Sequence, residues 1–192
     1  MVKFFIAILL ASGFYTPVQD NFYLRLSQAA VQLTQTSVTY DPKYTAIPYP
    51  MGDVPANKGV CSDVVIRAYR TLGIDLQKEV HEDMAKHFGV YPKKWGLRST
   101  DKNIDHRRVP NLMVFFKRHG TVKPITQQNS DYAPGDIVCW NLKGDITHIG
   151  LVVNKYAIGT KRPLIVHNIG AGQVLEDALF SFPIIGHYSY KK

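Results

Sequence analysis

Acid, cysteine and long apolar runs are the scarce features of this sequence. Asp and Glu number 15 against 23 Lys and Arg, a formal charge of +8. That surplus draws the chain toward anionic partners such as nucleic acid, anionic lipid or acidic cell-wall polymer. Nucleic acid is not expected among them, because the basic residues are scattered in pairs (Lys93-Lys94, Arg107-Arg108, Lys191-Lys192) with no recognition motif around them. Only Cys61 and Cys139 carry thiols, so any bridge within the chain joins those two and silences Cys61. The histidines show neither His-Glu-x-x-His nor Cys-x-x-Cys spacing, and no metal or cofactor is called for. The run Asp101-Lys102-Asn103-Ile104-Asp105 has the outline of a calcium loop, but His106 replaces the required glycine and Leu112 the twelfth-position acid, which excludes that ion. Repeats and low-complexity tracts are absent.

The apolar run at residues 4–11 is too short to cross a bilayer, comes after the single basic residue Lys3, and leads into Ala11-Ser12-Gly13. A signal peptide over 1–13 is expected, and with it an exported, periplasmic or secreted protein. No cysteine comes after the run, so a lipoprotein anchor is not expected, nor any other stable membrane anchor. The 192-residue chain, 45% hydrophobic, suffices for one core, and 14–192 reads as one globular unit and a monomer.

Apolar periodicity predicts a helix over 21–36, capped by Asp20, and then a proline-rich wrapping segment over 40–58. A helix begins at Gly59-Val60-Cys61-Ser62-Asp63 and stops at Gly73. Another carries Leu76, Val80, Met84 and Phe88 and ends at Gly89, and a fourth runs from Pro110 to Gly120. Between the last two, 91–108 is a long polar connection. Period-2 segments come next, at 137–142, 147–153, 164–169 and 184–190, with turns such as Pro134-Gly135-Asp136. Helices first and strands second predict an α+β fold with an antiparallel meander packed on the Cys61 helix.

Position gives Cys61 its interest. A lone cysteine is usually a small buried apolar residue; at a helix start, the dipole and free N–H groups favour thiolate and lower the pKa. Alternation places His148 beside Gly150, and that gap is expected to admit substrate. In the next strand His167 and Asn168 point to opposite faces, so only one can orient His148. Helix-start cysteine, strand histidine and a polar third residue suit nucleophilic thiol catalysis. Arg107 and Arg108 are candidates to bind substrate carboxylates, since guanidinium forks pair with them; a solvated basic loop with an internal Asp–Arg pair is the alternative.

Together, Gly-Val-Cys-Ser-Asp at 59–63, Pro-Gly-Asp-Ile-Val-Cys-Trp at 134–140, Thr-His-Ile-Gly-Leu-Val-Val at 147–153 and Ile-Val-His-Asn at 165–168 resemble the NlpC-type cell-wall cysteine peptidases, within the papain-like superfamily. The chain is closer still to an uncharacterised bacterial branch sharing the blocks at 103–111 and 166–170. The resemblance covers residues 59–190. It implies a papain-like fold, with 14–58 an N-terminal helix and wrapping segment and 59–192 the hydrolase domain. It further implies Cys61 as nucleophile, His148 as base, His167 as the third residue, and the peptide stem of peptidoglycan as substrate. Gly59 and Val60 depart from the aromatic residue and acid usual before the cysteine, which bears on the bond cleaved. Two other readings are a thiol amidase or acyltransferase on another amide, such as a toxin, and a non-catalytic wall-binding module.

Overall fold

The structure, a computed structural model, describes residues 21–192; the expected signal peptide and the Asp20 cap lie outside them. The first helix, α1 (Phe22–Leu33), is instead capped by Asn21, whose side chain accepts the Leu24 N–H. A two-residue parallel pairing of β1 (Thr39–Tyr40) with β2 (Lys58–Gly59) closes the wrapping segment on itself just before the cysteine helix. Then come α2 (Cys61–Thr71), α3 (Leu76–Lys86) and α4 (Val109–His119).

The stop of α2 is the expected one, with Gly73 in the left-handed region at φ +81°. Helix α3 is shorter than its apolar repeat implies. Asp75 caps it, but it yields at His87 to a tight turn over Phe88–Val90, and Gly89 has no left-handed role there. Pro110 sits at the start of α4, where its missing N–H costs nothing.

Six strands form one antiparallel sheet: β3 (Thr121–Val122), β4 (Ile137–Asn141), β5 (Thr147–Tyr156), β6 (Pro163–His167), β7 (Val174–Glu176) and β8 (Ile184–Ser189), in the order β3-β8-β4-β5-β6-β7. The α+β expectation therefore holds. The meander runs only from β4 to β7, because the closing strand returns to the far side of β4.

Alternation divides the sheet into two faces. Ile137, Cys139, Ile149, Leu151, Val153 and Val166 enter the helix-side core with Leu26, Val64, Val65, Ala68, Tyr69, Leu112 and Phe116. Val138, Trp140, Val152 and Ile165 enter a smaller core with Ala178 and Leu179. Val64, Val65 and Ala68 are wholly buried. At about 1.5–3 kcal/mol for each buried valine, this stripe alone pins α2 to the sheet.

Candidate active-site cleft

Helix α2 opens on Cys61, and Val60 before it has no side-chain oxygen to cap the helix. The reciprocal contact is present: the Asp63 Oδ2 accepts the Val60 N–H at 2.7 Å, fixing the chain as it enters the helix. Asp63 is buried and needs a countercharge. Arg107 supplies it through a two-pronged contact, Nε to Oδ1 and Nη2 to Oδ2, both 2.9 Å. The Arg107 carbonyl also accepts the Ser62 hydroxyl at 2.8 Å. Arg107 therefore does not receive a substrate carboxylate, as its sequence position suggested; its fork is taken up by the cysteine helix itself.

The thiol is 7% exposed. Burial pushes it up to about 11, the reverse of the lowering expected from the helix start. The backbone N–H of Ile149 and those of Ser62 and Cys61 oppose this shift without cancelling it, and the Asp63 charge adds to it. Cys61 is thus a neutral thiol at neutral pH. Cys139 is fully buried, and burial raises its thiol well above the ordinary value too; both cysteines are free.

Cys61 opens into a cavity of about 200 Å³ lined by Tyr40, Val60, Trp95, Arg108, Pro110 and Thr147, among others. Arg108 lies over the Trp95 ring, 4.4 Å from its centre. Its Nη1 is buried with no hydrogen-bond partner. Trp95 is 59% exposed, in a tight turn with φ +61°.

His148 and His167 are brought together as expected, with His148 Nε2 2.8 Å from His167 Nδ1. His167 continues to Glu176, Nε2 to Oε2 at 3.1 Å. Sequence reading missed Glu176 because β7 is three residues long and lacks an apolar pattern. Burial and then His167 depress His148 to about 3, and burial lowers His167 against the opposing pull of Glu176, so His148 is a neutral imidazole. The Trp140 ring lies tilted beside it, with ring centres 5.6 Å apart.

Cys61 meets β5 through its backbone: the N–H turned toward its sulfur belongs to Ile149, the residue after His148. By strand parity His148 belongs with Gly150 and Val152, on the smaller-core face with Trp140 and opposite Cys61, and among the described residues no hydrogen bond joins thiol to imidazole. The gap expected beside Gly150 is closed. A Cβ there would meet Ile165 Cγ2 at 2.8 Å, the Val166 carbonyl at 3.0 Å and His167 Cβ at 3.1 Å, so the glycine lets β6 approach instead of admitting substrate. Asn168, with the parity of Val166, lies on the Cys61 side; its Nδ2 donates to the Gly59 carbonyl at 3.2 Å, and its Oδ1 accepts from Gly170.

These features define a basic α+β domain with a helix-start thiol at a small cleft and a histidine pair on the adjoining strands. The chain belongs to the DUF1287 family, described as a domain of unknown function, whose model matches residues 27–190. It is 52% identical over 174 residues to the uncharacterized protein YijF of Escherichia coli (strain K12), covering 90% of this chain and 84% of that one. No solved structure matches it. The family match corrects the NlpC-type resemblance: the matching model is a different one, and neither it nor the relative points to that superfamily. The papain-like fold and the residue roles implied by that resemblance lose its support, which leaves geometry and charge as the grounds for any role given to Cys61, His148 and His167.

Proposed function

We propose that the protein is a thiol-dependent hydrolase of amide bonds, with Cys61 as nucleophile and His148, oriented by His167 and Glu176, as base. The observation that carries this reading is the meeting of α2 and β5: the sulfur lies against the backbone of the residue next to His148, at the mouth of a cleft. Thiol and imidazole are both neutral and lie on opposite faces of β5, so general-base transfer requires the start of that strand to turn as substrate binds. The ion pair is not stored in the resting enzyme; it forms as substrate draws the two together.

His148 then takes the thiol proton, sulfur adds to the amide carbonyl, and the N–H groups at the first turn of α2, which lack intrahelical acceptors, receive the oxyanion. Protonation of the amine by His148 expels it and leaves a thioester. Water, deprotonated by the same imidazole, releases the acid and restores the thiol. His167 and Glu176 hold the ring and disperse the transient positive charge.

Export through residues 1–13 and peptidoglycan stem peptides as substrate belong to the same proposal; the charge of +8 supports an anionic polymer as the partner. The test is product analysis by mass spectrometry after incubating the wild type and Cys61→Ser with purified peptidoglycan and a panel of peptide amides in H₂¹⁸O. Cleavage with one ¹⁸O in the new carboxylate, absent from Cys61→Ser, is the expected result. Binding of the polymer without cleavage by the wild type would replace the enzyme with a wall-binding module.

A further inference from the structure

Within the Cys61 cleft, two adjacent arginines have opposite fates. Arg107 is 6% exposed and spends both prongs of its fork on Asp63. Arg108, at the start of α4, lines the cavity but forms no ion pair with any described residue; its guanidinium rests on Trp95. Nη1 is shielded from solvent and has no acceptor. An unpaired buried donor costs about 1–3 kcal/mol, more when charged, so an acceptor is the missing component. Tyr40 and Trp95, 40% and 59% exposed, add aromatic walls to the cavity. The cavity, about 200 Å³, is smaller than the roughly 300–1,000 Å³ of whole-ligand sites. It matches part of a ligand, on the scale of one amino-acid residue.

We infer that Arg108 and Trp95 form a carboxylate subsite of the Cys61 cleft, which selects substrates bearing a free carboxylate on a residue adjoining the bond to be cleaved. The guanidinium, with its carbon 4.4 Å from the Trp95 ring centre, lines the cavity and can offer a carboxylate a two-pronged fork that Lys cannot. The Asp63–Arg107 pair is already neutral and leaves Arg108 as the uncompensated charge. The inference rests on the thiol-hydrolase reading for what is done to the substrate, but not for what is bound.

Binding can therefore be measured apart from turnover. The probes are N-acetylalanine, with a free carboxylate, and its neutral counterpart N-acetylalaninamide. Each is titrated against Cys61→Ser protein while Trp95 fluorescence is monitored, with Trp95→Phe identifying the signal. N-acetylalanine should give a saturable change and bind at least about tenfold more tightly than the amide. Arg108→Gln should remove that preference, and Arg108→Lys should weaken it while keeping the charge. If Arg108→Gln does not fold, Arg108→Lys carries the comparison. Equal binding of the two probes, or a preference untouched by either variant, overturns the subsite. A preference that survives in protein without hydrolytic activity toward any amide would sink the enzyme reading and leave the subsite standing.

Discussion

Arg107 closes on Asp63 through two parallel 2.9 Å contacts, and because Asp63 also holds the Val60 N–H, the last residue before the nucleophile candidate is tied to the loop over Asp105–Arg107. Both side chains are nearly inaccessible. Such a pair is a poor source of net stability, but removing one partner leaves a bare charge in the core.

Arg107→Ala is therefore expected to cost about 3–5 kcal/mol. In a chain of this size that lowers Tm by roughly 6–20 °C. Arg107→Ala with Asp63→Ala should recover part of the loss, because no charge is then stranded. Thermal unfolding of the two single variants and the double variant checks this. A near-neutral Arg107→Ala would show that the guanidinium is free for substrate after all.

Stability should fall on mild acidification. Burial depresses His106 and His148 to about 3 and lowers His167 as well, whereas the unfolded chain binds those protons near the ordinary histidine value of about 6.5. Between those limits the unfolded state holds more protons, so the contribution is complete above pH 6.5 and is lost as pH falls toward 3. Each imidazole contributes a slope of up to about 1.4 kcal/mol per pH unit. Urea midpoints at pH 7.5, 6 and 5 should decline, less steeply in His106→Asn. A flat profile across that range would contradict neutral burial.

Much of the frame is legible in the sequence because it rests on local signals. Gly73, Pro110 and the 3.6-residue apolar repeats mark helices, and period-2 runs mark β4, β5, β6 and β8. Strand alternation alone limits the partner of His148 to one of His167 and Asn168. What escapes depends on partners distant in the chain. Nothing near Asp63 announces Arg107, 44 residues away, and no pattern in β7 marks Glu176. The thiol pKa is misleading in sequence because a helix start is a local feature, whereas burial is set by the sheet packed on it; for Cys61 burial outweighs the helix-start donors. The space beside Gly150 misleads for the same reason, since β6 fills it.

Glu176 and Asn168 separate orientation from scaffolding. Glu176→Gln should lower kcat several-fold, up to about tenfold, and shift the acid limb of the pH–rate profile, with the fold unchanged, since the carboxylate is half exposed and acts through His167. His167→Ala should reduce turnover further without abolishing it. Asn168→Ala should leave chemistry nearly intact and cost about 1 kcal/mol of stability through the lost bond to Gly59. Loss of activity in a folded Asn168→Ala, with His167→Ala active, would make asparagine the orienting residue.

Alkylation should report a thiol waiting for its base. Cys61 should react slowly with iodoacetamide at pH 7, faster as pH rises toward its pKa of about 11, and Cys139 only after unfolding. A rate at pH 7 matching that of a fully ionised thiol would mean that the resting enzyme holds a thiolate, and the general-base step would fall.

A bond between the Cys61 sulfur and the acyl part of the substrate is what the proposed chemistry requires above all, and trapping that bond is the decisive measurement. Wild type and Cys61→Ala are mixed with a cleaved substrate from the peptide-amide panel and quenched in acid within the first turnover. The tryptic peptides are then weighed. A thioester of the acyl fragment on the peptide containing Cys61, with neither adduct nor cleavage in Cys61→Ala, is the expected result. Cleavage that persists in Cys61→Ala, or an adduct on any other residue, would rule out Cys61 as the nucleophile.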